Sequence, residues 1–353
     1  PRRPRPPGAL VNAVRWGIVG CGWVGRDLVA PAIDACTDAQ LVAVCDVDPH
    51  RLAAASAAHP GAAAYGEVAD LLADRAVDAV YVATPNHTHA SVVVAGARAG
   101  RHVLCEKPMA TTADDAAAMW SACQAAGVRY ATAFDQRYHA AHRRLRQLVA
   151  DGTLGQVTRA RVHYACWLGD GWSPWPDEPT DNWRIHRDRA GGGALIDLAP
   201  HSIDLLPYLL DDEWVDLFAL EQRCVHRYDV PDGAVLSGRL AKGALASIDV
   251  SYNCPEQLPR RSLQLYGTAA MAEAIDTMGQ TPGGQLTVID AGDGRRRPVA
   301  IERADDRSPF LAQIEAFSRH VRDGVPLPVE SSIDAHHVAL LEAAAERSQP
   351  AWR

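Results

Sequence analysis

Gly20-Cys21-Gly22-Trp23-Val24-Gly25 follows the apolar run Trp16-Gly17-Ile18-Val19 and opens onto Arg26-Asp27-Leu28-Val29, which can start a helix. A strand entering G-x-G-x-x-G and leaving as a helix is how a dinucleotide pyrophosphate is seated. The first glycine permits the turn, and the second lets backbone N–H groups approach phosphate. The third lets helix and strand pack closely, and the helix N-terminus supplies partial positive charge. Gly20, Gly22, Trp23, Val24 and Gly25 are therefore candidate cofactor contacts. A second apolar strand, Leu41 to Cys45, ends in Asp46, 21 residues after Gly25. At that spacing an acid meets the adenosine ribose hydroxyls. Asp46 would repel a 2′-phosphate, and neither Val47 nor Asp48 offers a cation to accept one. NAD is expected over NADP.

Outward from this unit, apolar strands and helix-prone segments alternate. Helices are expected over Pro49–Ala58, Ala90–Ala99 and Thr112–Ala126, and strands over Val77–Thr84, His102–Cys105 and Arg129–Phe134. This is the βαβ pattern of a doubly wound parallel sheet, an α/β Rossmann domain over residues 14–136. Ligand loops belong at the carboxyl ends of such strands, where Asp46, Thr84 to His89 and Glu106-Lys107-Pro108 fall. The pair His87 and His89 lacks the further ligands that a metal needs, so no metal is expected.

Residues 137–353 read differently. A helix at His139–Ala150 precedes a strand at Val157–Tyr164, then a loop from Gly169 to Trp183 with three tryptophans and Asp170, Asp177, Glu178 and Asp181. Ala194–Leu210 reads as a helix despite Pro200 and Pro207. Strands at Val215–Tyr228, Gly233–Ala241, Ala244–Tyr252 and Arg261–Tyr266 have hairpin spacing, which indicates an α+β domain with a large, mostly antiparallel open sheet. Helices near Pro309–Arg322 and Ile333–Ser348 close the chain, and the last is a candidate to pack back on the Rossmann domain.

Composition sets the class. A chain of 353 residues with 48% hydrophobic and 22% charged residues is an ordinary globular protein of about two domains. The net charge of −8 argues against a nucleic-acid surface and is compatible with a cationic substrate. No apolar run is long enough for a membrane span. Eight cysteines without a C-x-x-C pair fit reduced thiols in a cytoplasm. The proline- and arginine-rich start, residues 1–13, reads as a disordered lead-in; no apolar segment follows its arginine pair, so export is not expected.

Two constellations remain. Lys107 is one of only two lysines, follows a buried strand on the cofactor side, and precedes Pro108. Asp197 and His201 stand four residues apart on the expected helix and share a face. Spacing alone would more often mean a solvated ion pair, but Leu198, Ile203 and Leu205 imply that this face is partly enclosed.

The opening glycines, Ala83-Thr84-Pro85-Asn86-x-x-His89, Glu106-Lys107-Pro108 and Gly191-Gly192-Gly193-Ala194-Leu195-Ile196-Asp197-x-x-x-His201 together resemble the Gfo/Idh/MocA oxidoreductases, which include glucose–fructose oxidoreductase and inositol dehydrogenase. The resemblance runs from about Val14 to Ser348. It implies that Thr84, Pro85, Asn86, His89, Glu106 and Lys107 lie along the cofactor, and that Trp183 and Arg184 lie near nicotinamide and substrate. It implies a sheet domain that carries the substrate site and a homodimer or homotetramer interface. It also implies oxidation of a secondary alcohol, with His201 as the base, Lys107 stabilising alkoxide charge and Asp197 orienting the substrate or His201. Arg137 and Tyr138 fall at the domain junction.

Tryptophans and carboxylates in the 169–183 loop favour a polyhydroxylated, cationic ring, an amino sugar or an aminoglycoside or aminocyclitol intermediate. A neutral sugar or inositol is the alternative, and an oligomer-packing arm is an equal reading of the loop. A non-catalytic NAD sensor is the alternative of another class. NAD retained and recycled between two substrates is a further option.

Overall fold

The computed structural model describes residues 13–175, 181–301 and 306–348. The reading of residues 1–13 as a lead-in thus falls, but for Ala13, outside the described residues. The chain forms two compact units. One takes the chain up to Ala133 together with Phe310–Ala335, and the other takes Phe134–Pro309 with the residues from His336 onward.

The first unit holds β1 (Val14–Val19), β2 (Ala39–Cys45), β3 (Ala63–Tyr65), β4 (Ala79–Val82), β5 (His102–Cys105) and β6 (Tyr130–Thr132). Among the described residues these make one parallel sheet in the order β3-β2-β1-β4-β5-β6. The order reverses at β1, which places ligand loops at the carboxyl ends of β1 and β4. Between strands run α1 (Ala30–Ala35), entered through a π-helical stretch at Val24–Val29, then α2 (Pro49–Ala58), α3 (Val68–Ala73), α4 (His89–Arg98) and α5 (Ala113–Ala126). Their ends follow local chemistry. Asp48 caps α2 by accepting from the His50 N–H at 2.8 Å, and Thr112 caps α5 through the Asp115 N–H at 3.2 Å. The central strands β1 and β4 are buried and apolar, as a sheet covered on both faces requires. The helix Pro309–Asp323 joins this core through Phe310, Ile314 and Phe317, and the Trp16 indole N–H donates to Ser318 at 3.1 Å.

The second unit contains α6 (Ala140–Ala150), α7 (Arg187–Ala190) and α8 (Gly193–Leu210). Its strands are β7 (Val157–Ala165), β8 (Trp214–Gln222), β9 (Gly233–Leu240), β10 (Leu245–Ser251), β11 (Arg261–Gly267), β12 (Ala270–Ile275), β13 (Gln285–Asp290) and β14 (Arg296–Pro298). Among the described residues they form one sheet in the order β14-β13-β12-β11-β7-β10-β9-β8. Only β7 with β10 pairs in parallel, so the sheet is mostly antiparallel, as the hairpin spacing implies. Alternation puts Leu217, Ala219 and Leu236 inward, while Phe218, Leu220 and Val235 stand exposed on the other face. Helix α8 is buried nearly all round, so its polar members Asp197, His201 and Asp204 must find partners within the protein. Its entry is fixed by Gly193, where a Cβ would lie 2.0 Å from the Pro231 carbonyl oxygen.

Among the described residues, no helix is long and apolar enough to cross a membrane.

Candidate active site

The glycine loop of the first unit is built by close backbone approach. A Cβ on Gly25 would sit 2.1 Å from the Gly20 carbonyl oxygen, so helix and loop tolerate no side chain there. A Cβ on Gly22 would meet only Arg51 Nη1, at 4.0 Å. The loop is tight beneath and open above Gly22, which fits a dinucleotide pyrophosphate laid on its N–H groups. Asp46 accepts from the Cys21 N–H at 2.7 Å on one carboxylate oxygen and from the Asp48 N–H at 2.8 Å on the other. It therefore ties the glycine loop to the end of β2, and each oxygen keeps a lone pair for a hydroxyl. Burial pushes the Cys21 thiol up to about 12, so it stays protonated. Val47 is 80% exposed at the rim. Arg51, one turn into α2, is a cation near this loop that reading only Val47 and Asp48 overlooks; it pairs with Asp48 at 3.5 Å.

Two further loops of this unit are joined by His89. Its Nδ1 lies 2.9 Å from the Pro108 carbonyl oxygen and its Nε2 2.9 Å from that of Thr84. The ring is completely buried, and burial lowers its basicity. His89 thus braces the Thr84-Pro85-Asn86 loop against the Glu106-Lys107-Pro108 loop and presents neither nitrogen freely to a ligand. His87 is exposed, so the two histidines occupy different environments. Asn86 is buried in the 3₁₀ turn Asn86–Thr88, and the Thr88 hydroxyl lies 2.7 Å from Thr84 Oγ1. Glu106 accepts from the Tyr81 hydroxyl at 2.7 Å and from the Lys107 N–H at 3.1 Å. Lys107, half-buried, precedes a cis peptide bond to Pro108.

In the second unit, α8 presents Asp197 and His201. The Tyr252 hydroxyl donates to Asp197 at 2.7 Å, and Arg184 Nε lies 3.9 Å from the same carboxylate. The Arg184 guanidinium also covers two tryptophans of the loop, 4.5 Å from the Trp183 ring centre and 5.4 Å from that of Trp172. The sequence allows these rings as a ligand platform or, equally, as a packing arm; in the fold they carry this chain's own Arg184 cation. Of the loop acids, Asp181 pairs with Arg189, Asp170 is exposed, and Asp177 and Glu178 lie outside the described residues.

His201 Nδ1 lies 3.5 Å from Asp135 Oδ1, and each side chain is 3% exposed. The Tyr164 ring meets the imidazole edge-on, centres 5.5 Å apart. Asp135 was missed from sequence; its signal was its place just past the sixth strand, where ligand loops belong. Arg137, treated there as a junction residue, is buried and grips Asp204 of α8, its Nε 2.9 and 2.8 Å from the two carboxylate oxygens.

Residues 14–134 match the GFO/IDH/MocA oxidoreductase family with an NAD-binding Rossmann fold, and residues 142–273 match the GFO/IDH/MocA C-terminal domain. The chain is 32% identical to the 1,5-anhydro-D-fructose reductase of Ensifer adhaerens, over 81% of this chain and 83% of that protein. It is 29% identical to the myo-inositol 2-dehydrogenase of Thermotoga maritima, over 95% and 96%. The crystal structure of the aldose-aldose oxidoreductase from Caulobacter crescentus, complexed with glycerol, superposes with a TM-score of 0.84 at 25% identity, covering 96% of this chain and 98% of that one.

Proposed function

The chain belongs to the Gfo/Idh/MocA oxidoreductase family, and from that premise we propose that it oxidises a secondary hydroxyl of a neutral, polyhydroxylated ring to a ketone, using NAD. In coarse terms it is an NAD(P)-dependent, sugar-type dehydrogenase. The choice of a neutral ring rests on one observation: the tryptophan pair Trp172 and Trp183 already carries the Arg184 guanidinium, whose Nε faces Asp197. A substrate ammonium would meet that charge. A hydroxylated ring would instead find donors in Arg184 and an acceptor in Asp197. The amino-sugar reading keeps one support, exposed Asp170 on a chain of net charge −8.

The Gly20–Gly25 loop, Asp46, the Thr84–Asn86 loop and the Glu106–Lys107 segment would hold NAD, with Asp46 favouring it over NADP. When bound, NAD supplies the two-electron acceptor. His201 takes the hydroxyl proton, since an imidazole titrates near neutral pH. The Lys107 ammonium is the group proposed to stabilise alkoxide charge. Asp197, fixed by Tyr252, receives a neighbouring hydroxyl, and Trp183 with Arg184 borders the ring. A non-catalytic sensor would have no chemical need for the Lys107, Asp197 and His201 set.

The exposed Phe218, Leu220 and Val235 on the open sheet face suit a homodimer or homotetramer contact, which light scattering would measure. The eight free thiols suit a reducing cytoplasm. The substrate proposal is tested by NAD reduction with matched ring pairs, one member hydroxylated and the other amino-substituted at a single carbon. Preference for the hydroxylated member, lost in Arg184→Ala, is expected. Consistent preference for the amino member would overturn the neutral-ring choice.

A further inference from the structure

We infer that Asp135 is a positioning residue that sets the tautomer and basicity of His201; the inference rests on reading His201 as the base. The turn Asp135–Tyr138 faces α8 through two rungs. Asp135 meets His201 on one and Arg137 meets Asp204 on the other, and the helix residues are three apart, hence on one face. The Arg137 fork on Asp204 is buried on both sides, so separating turn from helix would strand two charges. Gln136 adds a third tie. Its amide N–H donates to the Gly279 carbonyl at 2.9 Å and to Asp135 Oδ2 at 2.9 Å. With Oδ2 so engaged, Oδ1 is the oxygen 3.5 Å from His201 Nδ1.

A carboxylate held there favours the tautomer with its proton on Nδ1, which leaves the Nε2 lone pair to take a proton from substrate. It also stabilises the imidazolium once that proton arrives. Asp197 lies one turn earlier on α8, and Tyr164 faces the ring with the Arg261 guanidinium 5.8 Å from the centre of the Tyr164 ring. Burial pushes the Tyr164 hydroxyl well above its usual range, so it stays protonated and neutral. Asp135 therefore supplies a fixed negative charge on the Nδ1 side. His201 with Asp135 is a base with its own orienting acid, built from the turn just past the sixth strand and from helix α8.

The test is Asp135→Asn, which keeps the shape and removes the charge. Two readouts are compared with the parent: the imidazole titration of His201 by NMR, assigned with His201→Gln, and the pH profile of kcat/KM. We expect the His201 midpoint and the acid limb of the profile to move down by on the order of one pH unit. We also expect kcat to fall roughly 10- to 100-fold with KM for the alcohol little changed. An unchanged His201 midpoint in a folded Asp135→Asn protein overturns the inference, whether or not the parent turns over a substrate. Should the parent prove inactive, the reading of His201 as a base fails separately, and the NMR midpoint still decides whether Asp135 governs the imidazole.

Discussion

The Tyr252 hydroxyl donates to a carboxylate oxygen of Asp197 across 2.7 Å, and both side chains are buried. Burial first, and the neighbouring Asp197 charge second, push the tyrosine well above its usual range. Tyr252 therefore remains a donor at any working pH and serves as an anchor, leaving proton transfer to other groups. Tyr252→Phe should cost about 1.5–3 kcal/mol of stability, the value of a hydrogen bond to a buried charge. It should also lower kcat/KM roughly tenfold. Denaturant midpoints and steady-state kinetics check this; a phenylalanine variant equal to the parent in both would remove Asp197 from the anchored site.

The glycine loop makes a paired prediction. Gly25→Ala forces a Cβ to within 2.1 Å of a backbone oxygen, so the variant should be strongly destabilised even without cofactor. Gly22→Ala meets open space and should melt like the parent, yet bind NAD at least about tenfold more weakly by calorimetry. Normal NAD affinity in Gly22→Ala would move the pyrophosphate off this loop.

Asp46 holds the Cys21 N–H and is the acid proposed to meet the ribose hydroxyls. Asp46→Ser with Val47→Arg removes the repelling charge, adds a cation at an exposed position, and leaves Arg51 beside Gly22. The ratio of kcat/KM for NADP over NAD should rise by about two orders of magnitude. An unaltered ratio would mean that the end of β2 does not select the cofactor.

Much of the fold was legible because its signals are local. Asp48 and Thr112 cap helices where their side chains lead one to expect, and Gly127 ends α5 in a left-handed turn. Strands β12 and β13 went unread. Ala270-Met271-Ala272-Glu273-Ala274-Ile275 has a helix-favouring composition, and it is strand because both edges find ladder partners, β11 and β13. The site divides the same way. Glycines and motif residues announce themselves, whereas Asp135 acquires meaning only when α8 returns to it. What the tryptophans of the 169–183 loop face is also not a local matter: which cation covers them depends on where Arg184 folds.

His142 gives the protein an acid-sensitive core. It is wholly buried, with Nδ1 2.9 Å from the Gln136 carbonyl oxygen and Nε2 3.0 Å from the Thr277 hydroxyl, and burial drops its pKa to about 3. The unfolded chain keeps a histidine near 6.5 and so binds the proton first. Its contribution to stability is complete above pH 6.5 or so and is lost as pH falls towards 3, by about 1.4 kcal/mol per pH unit. Unfolding free energies measured across this range should fall less steeply in His142→Asn, by about one proton. Identical slopes would show that His142 is charged in the folded protein.

The most direct test of the central claim is near-ultraviolet absorbance of NADH as purified protein meets NAD and a panel of inositols, neutral sugars and their amino-substituted counterparts, run beside Lys107→Ala and His201→Ala. The account predicts NADH from a neutral polyhydroxylated ring in the parent. It predicts that turnover falls by at least about a thousandfold in each variant while NAD binding persists. Near-normal turnover in both variants would contradict it, because the proton and the alkoxide charge would then be handled by other groups.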